Sequence, residues 1–246
     1  MKGKRRARAE AERGFTLFEV VLSIVLAGIL LGTLIRSVAS FVEVHRRFHL
    51  ITQLSRQGWI SAERIRREIR GGVPGSLTVD PGGGGLSLDR IQCEGVAATT
   101  NAAQNYLSDP FLKTGEITAD ARLIVLRKGT AAPVETRITG IHAGYKRIYY
   151  EDNMPGEPDF QPGDRYWTTR ERVGFSMKGD QLLRSLSICL DGSGACTLDR
   201  QWPLTDRVSA FQVSWNGPGH PLELEQQLAE GGTEIGGNYR ILPSSP

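Results

Sequence analysis

The chain has 246 residues, 39% hydrophobic and 23% charged, which fits a globular body with one membrane segment and leaves room for one large domain or two small ones. The formal net charge of +3 is misleading: the first 14 residues carry six basic side chains against two acidic ones, a net of +4, so the remainder stands near −1. A nucleic-acid-binding surface is therefore not implied, and none is expected.

In chain order, a basic leader (residues 1–14, with Lys2, Lys4, Arg5, Arg6, Arg8 and Arg13) runs into Gly14-Phe15-Thr16-Leu17-Phe18-Glu19 and then a long block without charge. From Phe15 to Ile35, 21 residues would span roughly 31 Å as a helix, the thickness of a bilayer core. The block is too long for a cleaved secretory signal, and no small-residue cleavage site follows it. The leader's positive charge predicts a cytoplasmic N-terminus, with the rest of the chain across the membrane. Glu19 is the anomaly. An acid in a spanning helix costs a few kcal/mol, which marks it as functional. No Lys or Arg lies nearby. A new α-amine on Phe15 of a neighbouring subunit, made by cutting after Gly14, would supply the missing positive charge.

Basic leader, Gly14, Phe15-Thr16-Leu17 and Glu19 at the head of an apolar helix resemble the type IV prepilin signal shared by pilins and by the pseudopilins of type II secretion. The resemblance implies that a prepilin peptidase cuts between Gly14 and Phe15. It also implies N-methylation of Phe15 and subunit docking through Glu19. Gly28 and Gly32 form a small-xxx-small pair that permits close helix approach.

Residues 36–72 continue the helix. Val38, Phe41, Val42, Phe48, Ile51, Leu54, Gly58, Ala62, Ile65 and Ile69 trace one apolar stripe, with most of the charges off it, as in a helix laid on a core. Gly71, Gly72 and Pro74 end it. His45 and His49 stand one turn apart, but no third ligand is evident and Arg46 and Arg47 repel cations, so no metal is expected.

From residue 73 the pattern changes to strands and turns. Strands are predicted at Leu86–Cys93, Arg122–Arg127, Val134–Ile138, Arg147–Tyr150, Val173–Met177, Leu182–Leu190 and Val208–Trp215, with a hairpin turn at Lys178-Gly179-Asp180. Residues 81–85 read as a glycine-rich turn, and 94–120 and 151–166 as polar insertions. The strand-rich head is thus expected over 73–215, with a loosely ordered tail over 216–246. A long helix followed by strands excludes a parallel α/β core. The expected fold is α+β, the helix packed on an antiparallel sheet head, as the prepilin resemblance also implies. The segment Ala62–Arg70, the hairpin Val173–Leu183 and the strand Val208–Trp215 are similar to the larger minor members. These are the J-type pseudopilin, the W-type minor pilin and the O-type component of the mannose-sensitive haemagglutinin pilus.

Three cysteines, in a head outside the cytoplasm, can form disulfides. Cys189 ends one strand and Cys196 follows the tip Asp191–Ala195, a hairpin geometry that allows a bridge. The alternative is three small core residues with no bridge. Cys93 is left over, as a buried thiol or for an intermolecular bond. His142 and His220 stand alone, with no nucleophile elbow or HExxH, so no enzyme and no cofactor are expected. The reading is a minor pilin or minor pseudopilin, anchored once in the inner membrane with its head in the periplasm. Its expected partners are the prepilin peptidase and other minor pilins or pseudopilins, met through the N-terminal helix. The alternative is a single-pass, membrane-anchored periplasmic binding module; a membrane-anchored hydrolase ranks last.

Overall fold

In the computed structural model, which describes residues 16–118, 120–129, 133–151, 160–189, 196–217 and 220–243, one helix is followed by antiparallel strands. Helix α1 spans Leu17–Arg70. The chain divides into two units that part after Leu50.

In the first unit, the α1 side chains from Leu17 to Val44 are exposed all round. In the second unit, burial on α1 begins at Leu54 and recurs at Gly58, Ser61, Ala62, Ile65 and Ile69, the spacing of one helix face. The predicted apolar stripe is therefore only half used: Val38, Phe41, Val42 and Phe48 are more than half exposed, and Ile51 is 41% exposed. The helix stops where Gly71 N–H donates back to Arg67 O and the chain turns at Gly72. A Cβ on Gly72 would meet the end of the buried Leu88 side chain, which would have to shift to admit it.

The strands are β1 (Thr78–Val79), β2 (Gly85–Arg90), β3 (Cys93–Val96), β4 (Thr99–Asn101), β5 (Tyr106–Ser108), β6 (Arg122–Leu126), β7 (Val134–His142), β8 (Arg147–Tyr150), β9 (Arg165–Thr169), β10 (Glu171–Lys178), β11 (Gln181–Cys189), β12 (Cys196–Thr205), β13 (Val208–Trp215), β14 (Leu222–Glu230) and β15 (Thr233–Ile241). They form a five-stranded sheet β1-β2-β10-β11-β12, a three-stranded sheet β13-β14-β15 and a seven-stranded sheet β3-β9-β6-β7-β8-β5-β4. Every strand pairing among the described residues is antiparallel. The α+β class is thus found, with three sheets.

Ile65 and Ile69 of α1 share one core with Leu86 and Leu88 of β2, Val173 and Phe175 of β10, and Leu222 and Leu224 of β14. Each such side chain removed from water contributes about 1.5–3 kcal/mol. Polar contacts fix the helix on these sheets: Ser61 Oγ donates to Gln226 Oε1 on β14 (2.8 Å), and Glu68 pairs with Arg184 on β11. A second core, with Leu107, Leu123, Ile138, Ile148 and Tyr166, belongs to the seven-stranded sheet. Between the five- and seven-stranded sheets lies a charged joint. Arg122 on β6 is 1% exposed; its guanidinium meets Asp89 on β2 (2.7 Å) and Glu135 on β7 (2.9 Å), and Arg172 on β10 also holds Asp89 (2.9 Å).

Three expectations need correction. The tail from 216 is not loosely ordered over its described length: it forms β14 and β15. Leu222, Leu224, Gln226 and Leu228 alternate inward, and Gly231 and Gly232 take positive φ (58° and 77°) in the two-residue turn between Glu230 and Thr233. The supposed insertion 94–120 supplies β4 and β5 and buries Ala97, Leu107, Leu112 and Ile117. The other insertion, 151–166, ends inside β9; residues 152–159 lie outside the described residues. Strand β9 had no alternation to read, because Tyr166, Trp167, Thr168 and Thr169 are all buried, as in a strand covered on both faces. The predicted Lys178-Gly179-Asp180 hairpin is present, with Lys178 opposite Gln181.

Candidate assembly surface on the N-terminal helix

Gly14 and Phe15 lie outside the described residues, which begin at Thr16. Thr16 and Glu19 close the start of α1 reciprocally. Thr16 N–H and Oγ–H donate to Glu19 Oε2 (2.9 and 3.0 Å), and Glu19 N–H donates to Thr16 Oγ (3.3 Å). This is a capping box, which uses two backbone donors that the first turn would otherwise leave bare. The carboxylate also sits where the helix dipole favours negative charge. The partner of Glu19 within its own chain is thus an uncharged residue, Thr16. The Thr-x-x-Glu spacing was the available signal.

One turn on, Ser23 Oγ–H donates to Glu19 O (2.7 Å), and Thr33 Oγ–H donates to Leu30 O (2.8 Å), so the block's hydroxyls are satisfied within the helix. That is what a polar group needs in lipid. The helix is long and apolar enough to cross a membrane, and the other described helices are short 3₁₀ turns. A Cβ on Gly28 or Gly32 would meet nothing within 4 Å, so the flat they make is open for a second helix. Further along, Phe41 stacks on His45 (6.0 Å between centroids) and His45 meets His49 edge-on (4.5 Å). Among the described residues no group of three or more His, Cys, Asp or Glu gathers as a metal site. What this surface can do chemically is associate: it offers an apolar helix, one capped carboxylate and a small-residue flat.

In the head, Cys189 and Cys196 face each other across β11 and β12 and are joined by a disulfide. The tip they close, residues 190–195, lies outside the described residues. Cys93 is a buried free thiol. Burial pushes its pKa up, which keeps it protonated and inert. Tyr166 beside it donates to Asp109 Oδ2 (2.7 Å); burial and that hydrogen bond both push the phenol's pKa up. Breaking the bridge with Cys189→Ser should lower head stability by about 2–3 kcal/mol, the chain-entropy value for so short a loop. Urea denaturation with and without reductant checks this: reductant should destabilise the parent protein and leave the variant unchanged.

The remaining histidines have structural surroundings. His142 Nδ1 accepts from Tyr145 N–H (3.2 Å), and the backbone carbonyl of His220 accepts from Trp215 Nε1 (3.3 Å). Compared with family models, curated proteins and solved structures, the chain matches none.

Proposed function

We propose that this protein is an assembly subunit of a type IV pilus-like filament, a minor pilin or minor pseudopilin that helps to initiate or cap the filament. The observation that carries the reading is the register of Gly14, Phe15 and Glu19 at the head of an apolar helix behind a basic leader. Two further features support it. The helix is exposed all round from Leu17 to Val44, which suits a segment used first in a membrane and then against other helices. The α+β head presents sheets and a disulfide-closed hairpin, a construction suited to an oxidising compartment. In this proposal the protein enters the inner membrane once, with its head in the periplasm. A prepilin peptidase then cuts after Gly14, Phe15 is N-methylated, and the helix meets those of other minor pilins or pseudopilins. The chemistry asked of the chain is association, with no cofactor.

The test is the mass of the mature N-terminus after co-expression with a prepilin peptidase. A chain shortened by the 14-residue leader and carrying one added methyl on Phe15 is expected. Gly14→Ala should be processed poorly and Gly14→Leu not at all, because a side chain there obstructs the cut beside the helix. An unshortened parent chain would overturn the reading and leave the anchored binding module in its place.

A further inference from the structure

We propose that the free edge of β15 pairs with the β15 edge of a second copy of this chain, extending the three-stranded sheet across a two-fold axis at Gly237. The inference concerns the head and stands apart from the proposed function: residues 58–66 of α1 lie along β14 and β15, so the axis makes them run the opposite way in the partner.

Strand β15 ends its sheet, and its register with β14 runs unbroken from Glu230↔Thr233 to Leu222↔Ile241. Among the described residues its backbone bonds to β14 and to nothing else. The pair closing a two-residue hairpin exchanges both hydrogen bonds, so Thr233 and every second residue after it point their N–H and C=O groups at β14. The backbone groups of Glu234, Gly236, Asn238 and Arg240 therefore point outward and need a partner or water. Of the usual devices that blunt an edge, β15 has no proline, no bulge and no lysine; it carries two exposed charges, Glu234 and Arg240. Beside the edge, Trp59, Ala62, Glu63 and Arg66 of α1 and the end of β15 line an open groove of about 310 Å³. Trp59 is 61% exposed there.

Self-complementarity points to the occupant. Antiparallel pairing of two copies about Gly237 places Glu234 opposite Arg240, twice, because the axis repeats the pair. The same register sets Ile235 opposite Tyr239, also twice, on the other face of the sheet. Opposite charges and aromatic/β-branched neighbours are the pairs that stabilise adjacent strands. Moving the axis by one residue, to Asn238, sets Gly236 against Arg240 and removes both ion pairs. Glu234 and Arg240 are exposed, and each has one contact within its own sheet: Glu234 accepts from Ser209 Oγ of β13 (3.0 Å) and Arg240 donates to Glu223 of β14 (3.1 Å), so pairing across the axis must share or exchange these contacts. The charges that would keep a foreign strand away thus favour one register of the strand with itself.

The test uses the full chain in mild detergent, with mass read by sedimentation and edge amides by hydrogen exchange. A dimer is expected, with slowed exchange at Gly236 and Asn238. Glu234→Arg and Arg240→Glu each make both pairs repulsive and should weaken the dimer about tenfold or more. Mixing the two single variants should give a heterodimer, and Glu234→Arg/Arg240→Glu should restore the homodimer. Both side chains are exposed with one contact each in their own sheet, and circular dichroism checks that each variant folds. A parent chain that stays monomeric, or a dimer indifferent to the single reversals and so held elsewhere, such as at Gly28 and Gly32, overturns the proposal. So does a β15 edge found paired with a different protein.

Discussion

Replacing Asp89 with asparagine should destabilise the head by about 3–5 kcal/mol, the cost of removing one partner from a buried ion pair. Asp89 is 3% exposed and is shared by two guanidinium groups, Arg122 from one sheet and Arg172 from its own. Without the carboxylate charge, Arg122 keeps only Glu135, whose side chain is 40% exposed. The cluster joins β2 and β10 of the five-stranded sheet to β6 and β7 of the seven-stranded one, so the loss should weaken the contact between two sheets. A second substitution separates this from a packing defect. Asp89→Leu combined with Arg122→Met replaces the pair by apolar groups and should recover much of the loss, since a buried ion pair contributes little beyond what good apolar packing does. Urea denaturation of the three proteins decides it. A cost below about 1 kcal/mol for Asp89→Asn, the size of an exposed pair, would show that water reaches the cluster.

The second large effect is expected at Glu19. In the proposed filament, Glu19→Ala should insert in the membrane and be cleaved after Gly14, yet fail to co-purify with neighbouring subunits. The capping box makes a sharper comparison possible. Glu19→Gln keeps an oxygen that can accept from Thr16 N–H, so the local cap survives while the charge is lost. Loss of the cap alone costs about 0.5–2 kcal/mol of helix stability. If the role of Glu19 is to meet a neighbour's α-amine, the Gln variant should fail to assemble as the Ala variant does. Normal assembly by Glu19→Gln would assign the residue to its own helix start and remove the charge-pairing account.

The sequence by itself determined the elements whose causes are local. An uncharged block followed by an amphipathic stretch and a Gly-Gly-x-Pro stop specifies α1 nearly to its ends. The hairpin at Gly179 announces itself through turn chemistry. The Thr16–Glu19 cap is equally legible in its Thr-x-x-Glu spacing, and the Glu230-Gly-Gly-Thr233 turn that makes the tail a hairpin in its turn chemistry, although glycine and polar residues are also the marks of a loose tail. The tertiary structure alone decided what depends on distant partners. Strand β10 pairs with β2, about eighty residues away, and that contact buries Asp89. Its charge is compensated by Arg172 of β10 and by Arg122, which β6 delivers to the same spot. Strand β9 shows no alternation because it is covered on both faces. The apolar stripe of α1 reads as continuous in sequence, and within the second unit Leu54, Gly58, Ala62, Ile65 and Ile69 are its buried members. Periodicity records which side chains seek cover, while the strands that supply it come from distant parts of the chain.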